Sequence, residues 1–179
     1  MSTQAKSWPW STSPANTATF EALYREQVPH IYNFFRYRFG DNALAEDLTA
    51  ATFEKAWQKR GQYRRDLAAF TTWLFTIARR VAIDHYRRPQ IEVALDEARS
   101  LTLDETPEEL IQRQADLRRL NLLLARLADR ERELVALKYG AGLTNRAIAN
   151  LSGLTESNVG VILHRAVQTL REEWDASHD

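Results

Sequence analysis

Thr144–Arg171, TNRAIANLSGLTESNVGVILHRAVQTLR, decides how the rest of the chain is read. It scans as two helices joined by a tight turn. Thr144 is placed to N-cap a short helix whose apolar positions are Ala147, Ile148 and Leu151. Gly153 supplies a residue able to take left-handed backbone, and Leu154 plugs the angle between the helices. Thr155 caps the second helix, with Asn158 three residues on, where a capping box would hold Glu or Gln. Val159, Ile162, Leu163, Ala166 and Leu170 fall at helical spacing and face inward. That leaves Glu156, Ser157, Asn158, Gly160 and Val161 on the first turns, with His164 and Arg165 behind, to enter a DNA major groove. An ordinary helical hairpin in an all-α core would carry a similar pattern. The length, the central glycine and the two caps together favour the DNA-reading form.

Upstream of this stretch the regular elements all read as helices. Phe20–Phe39 repeats apolar residues at Phe20, Leu23, Tyr24, Val28, Ile31, Tyr32 and Phe35, with Pro29 inside as a point of kinking or division. Gly40, Asp41 and Asn42 form a turn with capping chemistry. A second helix over Ala43–Arg60 buries Leu44, Leu48, Phe53, Ala56 and Trp57. The polar loop Gly61–Asp66 follows, with Asp66 placed to cap a third helix over Ala68–Arg88. That helix has the apolar face Phe70, Trp73, Leu74, Ile77, Ala78 and Val81, and Pro89 stops it. Residues 89–106 show no sustained period and read as a flexible acidic linker. Thr106, Pro107, Glu108 and Glu109 start a helix to about Leu127, striped by Leu110, Leu117, Leu120, Leu123, Leu124 and Leu127. Asp129 is placed to cap the next, which closes at Gly140 and leads through Gly142 into the opening stretch. No strand-like alternation of useful length appears. The expected architecture is all-α: a mobile tail (1–17), a first helical domain (18–88), the linker (89–106) and a helix-turn-helix domain (107–179).

Composition narrows the function. In 179 residues, 44% are hydrophobic and 27% charged, the balance of a soluble globular protein. The absence of cysteine excludes disulfides and thiolate metal sites and fits the cytoplasm. No apolar run is long enough to span a membrane, and residues 1–17 lack the apolar core of a secretory signal. The net charge is zero, but it is unevenly spread. Residues 17–88 hold 12 Lys/Arg against 8 Asp/Glu, whereas residues 89–107 hold one Arg against five acids. A basic front domain is therefore masked by an acidic connector. Four scattered His, no Gly-rich phosphate loop and no metal-ligand spacing give no case for an enzyme, a metal or a cofactor. Asp84 and His85 are adjacent on a helix and do not face one another, so they read as surface or capping residues.

The basic surplus has a location. Arg79, Arg80, Arg87 and Arg88 collect toward the end of the third helix, interleaved with His85 and Tyr86, and Arg64 and Arg65 lie in the loop before it. Cations suit a helix C-terminus, so Arg87 and Arg88 alone also fit a solvated end. Basic residues with aromatic neighbours are equally the usual surface for melted nucleic acid, where bases stack and phosphates pair.

Residues 43–88 and 129–173 together resemble the extracytoplasmic-function group of bacterial sigma factors, compact RNA polymerase subunits with a promoter-melting and a helix-turn-helix domain. The likeness rests on Ala45-Glu46-Asp47-Leu48, Thr52-Phe53, Ala56-Trp57, Phe70–Arg79 and Ile83–Arg88. In the second domain it rests on Ala147-Ile148-Ala149, Val159 and Leu163–Ala166. The resemblance implies that the helix holding Asp47, Leu48 and Phe53 docks on the β′ clamp of core RNA polymerase. It implies that Gln62, Tyr63, Arg64, Arg65 and Asp66, with Trp73 at the start of the third helix, receive a base flipped from the −10 promoter element. Arg79, Arg80, Arg87 and Arg88 would meet the promoter backbone. Ser157, Asn158, Gly160, Val161, His164 and Arg165 would read the −35 element, with their domain on the β flap. Many family members also have an anti-sigma factor, often membrane-attached, as a partner. No covalent chemistry and no membrane insertion of this chain follow.

The sequence departs from the family at Ala50 and Ala51, where Gln-Glu is usual, and at Gly160 and Ile162, where Lys or Arg is common. Two other readings stay open on sequence alone. One is a helix-turn-helix regulator acting without polymerase, whose front domain would need an apolar sensor pocket. The other is an interaction module that no longer reads DNA.

Overall fold

The computed structural model describes residues 14–64, 69–87 and 107–176, with side chains from 21 in the first stretch and from 111 in the third. Those residues form seven α-helices and two tighter or wider turns, with no strand among them. The helices are α1 (Pro14–Phe39), α2 (Asn42–Gln58), α3 (Phe70–Tyr86), α4 (Pro107–Arg126), α5 (Asp129–Val135), α6 (Asn145–Ser152) and α7 (Glu156–Ala176). A 3₁₀ turn (Arg60–Gln62) follows α2, and a π-helical turn (Ala136–Gly140) continues α5.

Helix α1 begins at Pro14, six residues before the apolar stripe would start it. Proline suits the first helical position because its missing N–H has no intrahelical partner there. Pro29 lies inside α1 without dividing it. The one hydrogen bond it forfeits is outweighed by burial of Ile31, Phe34 and Phe35 just beyond. At Gly40 the chain turns through left-handed backbone (φ 74°), and the Asp41 carboxylate accepts from the Leu44 amide at 2.8 Å to start α2. Thr49 and Thr52 are buried in α2, and their hydroxyls donate to the Ala45 and Leu48 carbonyls at 2.6 and 2.7 Å. Phe34 of α1 meets Phe75 of α3 edge-on, with ring centroids 5.8 Å apart. Burial, with the Glu46 and Asp41 charges adding to it and that of Arg36 opposing it, raises the pKa of the Tyr32 phenol, which donates to Asn42 Oδ1 at 3.2 Å.

Three sequence expectations change here. Trp57 is 41% exposed rather than buried, and Arg60 on the following turn stacks over its ring at 4.1 Å. Helix α3 starts from Ala69 with no side-chain cap, and Asp66, expected to cap it, lies outside the described residues. Ala128, not Asp129, occupies the N-cap position of α5, with no side-chain cap of its own. Glu131 Oε2 accepts from the Ala128 amide at 3.3 Å, which sets Ala128 at the boundary and leaves Asp129 as the first helical residue. The tail 1–13 and the whole linker 89–106, with Pro89, Thr106 and the preceding candidate Arg88, also lie outside the described residues.

The two helical units do not merely follow one another. Helix α1 packs on α2 and α3 on one side and on α4, α5 and the π turn on the other, so one hydrophobic cluster runs from Ile31 to Ala166. The backbones of the two units come close at Gly140. A Cβ there would lie 2.7 Å from the Asn33 carbonyl oxygen, nearer than side-chain and backbone atoms come. Asn121 of α4 donates to the Gly40 carbonyl at 3.3 Å, tying the α1–α2 turn to the second unit.

Candidate nucleic-acid interface

The helix-turn-helix forms through the local chemistry its residues carry. The Ala147 amide donates to Thr144 Oγ1 at 3.2 Å, starting α6, and Gly153 ends it in left-handed backbone (φ 72°). The Asn158 amide donates to Thr155 Oγ1 at 3.2 Å, starting α7. Ile148, Val159, Leu163 and Ala166 are buried between the helices, and Ile162 is half-buried against them. The outward face of α7 carries Ser157, Asn158, Val161, His164 and Arg165, all exposed, with Gly160 between them. Val161 is 46% exposed, an apolar residue left outside the core on the first turns. A Cβ at Gly160 would meet only Asn145 Nδ2 at 3.8 Å, so the position has room for a side chain. Arg146 of α6 pairs with Glu156 at 3.4 Å, holding that carboxylate beside the face.

Helix α7 is braced from behind. Arg119 of α4 lies over the Trp174 ring at 4.2 Å and donates to the Trp174 carbonyl, and Arg126 pairs with Glu173 at 3.2 Å. Between α4 and α7 an apolar groove of about 220 Å³ is lined by Leu120, Leu123, Val167, Leu170 and Trp174.

In the first unit the candidate residues divide by burial. Asp47 is exposed on α2, whereas Leu48 and Phe53 face the core, with Phe53 against Tyr24 at 4.4 Å between centroids. Of these three, only Asp47 presents a side chain for docking. Helical spacing already places Leu48 and Phe53 in the core, and only the family resemblance gives them a docking role. Gln62 and Arg64 are exposed, and Arg65 and Asp66 lie outside the described residues. Tyr63 is 5% exposed and packs against Phe70 and the half-buried Trp73, at 5.6 and 5.2 Å between centroids. Tyr63 therefore buttresses Trp73 rather than lying open. Arg80 and Arg87 are exposed on and just after α3. Asp84 pairs with Lys55 of α2 at 3.2 Å, and His85 packs edge-on against Phe39, so the adjacent pair serves the fold.

Arg79 is held in a different way. Its Nε and Nη2 donate to the Glu133 carboxylate at 2.8 and 3.3 Å, and its Nη1 donates to the Leu151 carbonyl at the end of α6. No sequence signal pairs residues 54 and 72 positions apart in this way.

Residues 23–90, spanning most of α1 and all of α2 and α3, match the family described as Sigma-70 region 2. Residues 123–172, holding the helix-turn-helix, match Sigma-70 region 4. The ECF RNA polymerase sigma factor SigL of Mycobacterium tuberculosis is 31% identical over 161 residues, covering 88% of this chain and 89% of that one. The chain belongs to the extracytoplasmic-function sigma factors of the sigma-70 family. This sigma factor is also 30% identical over 154 residues to the ECF RNA polymerase sigma factor BldN of Streptomyces coelicolor. That match covers 84% of this chain and 58% of that longer relative. In fold it is similar to the sigma factor RpoE of Bartonella quintana, solved in complex with the anti-sigma factor NepR (TM-score 0.66, 22% identity, 86% of this chain and 95% of that one). The family is not known for catalysis. Among the described residues no group of His, Asp or Glu is arranged to hold a metal ion, and no helix is long and apolar enough to cross a membrane.

Proposed function

We propose that this sigma factor, acting in the cytoplasm, binds core RNA polymerase, reads the −35 and −10 promoter elements and opens the DNA. The observation that carries the reading is the capped, outward face of α7, which shares one chain with a region-2 unit carrying exposed Arg80 and Arg87. Ser157, Asn158, Gly160, Val161, His164 and Arg165 meet the −35 element in the major groove. Gln62 to Asp66 and Trp73 receive the flipped −10 base, with Tyr63 supporting Trp73 from behind. Unstacking a base costs a few kcal/mol, which that pocket and the arginines on the backbone offset. Asp47 contributes to docking on the β′ clamp, and the apolar groove between α4 and α7 suits a segment of the β flap. An anti-sigma partner is part of the proposal, since the similar RpoE was solved with one.

Run-off transcription with core polymerase and a genomic promoter pool tests the reading. Discrete transcripts that need both core and this chain support it. Binding to DNA sites with no effect on core would instead mark a regulator that acts without polymerase.

A further inference from the structure

The outward face of α7 has a gap in it. Gly160 lies among Ser157, Asn158, Val161, His164 and Arg165 and gives that face no side chain of its own. Behind the gap stands a residue of the other helix of the motif. A Cβ at 160 would meet only Asn145 Nδ2 of α6, at 3.8 Å. The Asn145 amide therefore reaches the edge of the recognition face from behind it.

The residues on either side of Asn145 are engaged. Thr144 Oγ1 accepts from the Ala147 amide at 3.2 Å, and Arg146 Nε pairs with Glu156 at 3.4 Å. Asn145 is half-buried, and its Oδ1 is buried with no hydrogen-bond partner. Buried side-chain acceptors are nearly always paired, and an unpaired one costs stability. Helix formation does not explain the asparagine either. Thr144 already caps α6, and asparagine within a helix is a weak helix former.

The chemistry of the amide selects a ligand. With no bond at Oδ1, the amide turns about its last torsion without breaking one there. That turn exchanges Oδ1 and Nδ2 and brings the acceptor to the gap beside Gly160. Phosphate oxygens only accept, so a phosphate would leave Oδ1 unpaired. In the major groove adenine presents its N6 donor beside its N7 acceptor, matching the acceptor and donor of an amide. Guanine presents two acceptors, thymine an acceptor and a methyl group, and cytosine a donor with no acceptor of its own beside it.

We infer that Asn145 reads an adenine of the −35 element through the gap left by Gly160. The first helix of the motif then sets sequence preference together with the second. This inference rests on the promoter reading above and deepens it, and the test separates the two.

The full-length factor is assembled with core polymerase and bound to a promoter duplex from the run-off pool, with the −35 element varied one base pair at a time. The unsubstituted factor should prefer adenine at one position about tenfold. That preference should fall when the adenine is replaced by 7-deazaadenine, which lacks the N7 acceptor, or by purine, which lacks the N6 donor. Asn145→Ala should remove the preference at that position and leave the others in place. Asn145→Asp keeps an acceptor and loses the donor, so it should shift the preference toward cytosine, a change that a purely structural role would not produce. Gly160→Arg should weaken the adenine preference while raising overall affinity, because its side chain covers the gap. An adenine preference unchanged in Asn145→Ala, or a loss spread evenly over every position, would overturn the inference. Arg165→Ala is read in parallel and should weaken binding whether Arg165 meets a base or a phosphate. No change in that variant would instead overturn the placement of α7 in the groove.

Discussion

Gly140 lies so close to Asn33 that any side chain at 140 would place a Cβ 2.7 Å from the Asn33 carbonyl oxygen. Backbone cannot give way as a flexible side chain can, so the contact requires glycine. Gly140→Ala should cost about 1–3 kcal/mol, the usual range for overpacking, and lower the melting temperature by several degrees. Calorimetry of the full chain checks this. A melting temperature equal to or above that of the parent would mean that α1 and the π turn do not pack as described.

The caps of the helix-turn-helix make a second expectation. Thr155→Ala removes the acceptor for the Asn158 amide and should destabilise the second unit by about 1 kcal/mol. Thr155→Ser should be close to neutral, because it keeps the hydroxyl. Equal losses in the two variants would show that the threonine methyl, rather than the cap, matters.

These caps also mark what the sequence made legible. Thr144, Gly153 and Thr155 act on residues three or four positions away, so spacing alone reveals them. The same holds for Asp41 at the start of α2. Helical periodicity likewise exposed the core faces of α3 and α7. It also set Leu48 and Phe53 in the core, where they are buried; the docking role given to them came from the family resemblance, not from their spacing. Trp57 was misplaced because helical spacing put it at the edge of the apolar face, where its ring is 41% exposed and is met by Arg60 rather than by the core. Nor could it show the use made of Arg79, whose partners lie in another domain. The glycine at 140 reads locally as a helix end, and its packing role depends on a helix about 100 residues earlier.

The third expectation concerns base reading by α7. Arg165 is exposed on its outward face, and an arginine bound bidentately to guanine is worth about 1–3 kcal/mol of discrimination. Arg165→Ala should relax specificity at one −35 position, as measured by binding to a set of single-base variants of the element. A uniform loss across the set would assign Arg165 to a phosphate instead.

Gly160 tests the same face from the other direction. Its surroundings admit a side chain, and within a helix almost any residue is favoured over glycine. Gly160→Arg should raise affinity for promoter DNA and steepen its salt dependence by about one counterion, through an added phosphate contact. If affinity and salt slope both stay unchanged, α7 does not face the groove.

The central claim, that this chain opens promoter DNA as a subunit of RNA polymerase, is tested most directly by potassium permanganate footprinting. The template is a promoter recovered from the run-off pool, incubated with core polymerase alone, with the factor alone and with both. Thymines around −10 should become reactive only when both are present, and charge reversal of Arg64 and Arg65 should suppress that reactivity more than it weakens binding to core. A footprint showing duplex protection by the factor with no reactive thymines in the complete mixture would contradict the claim.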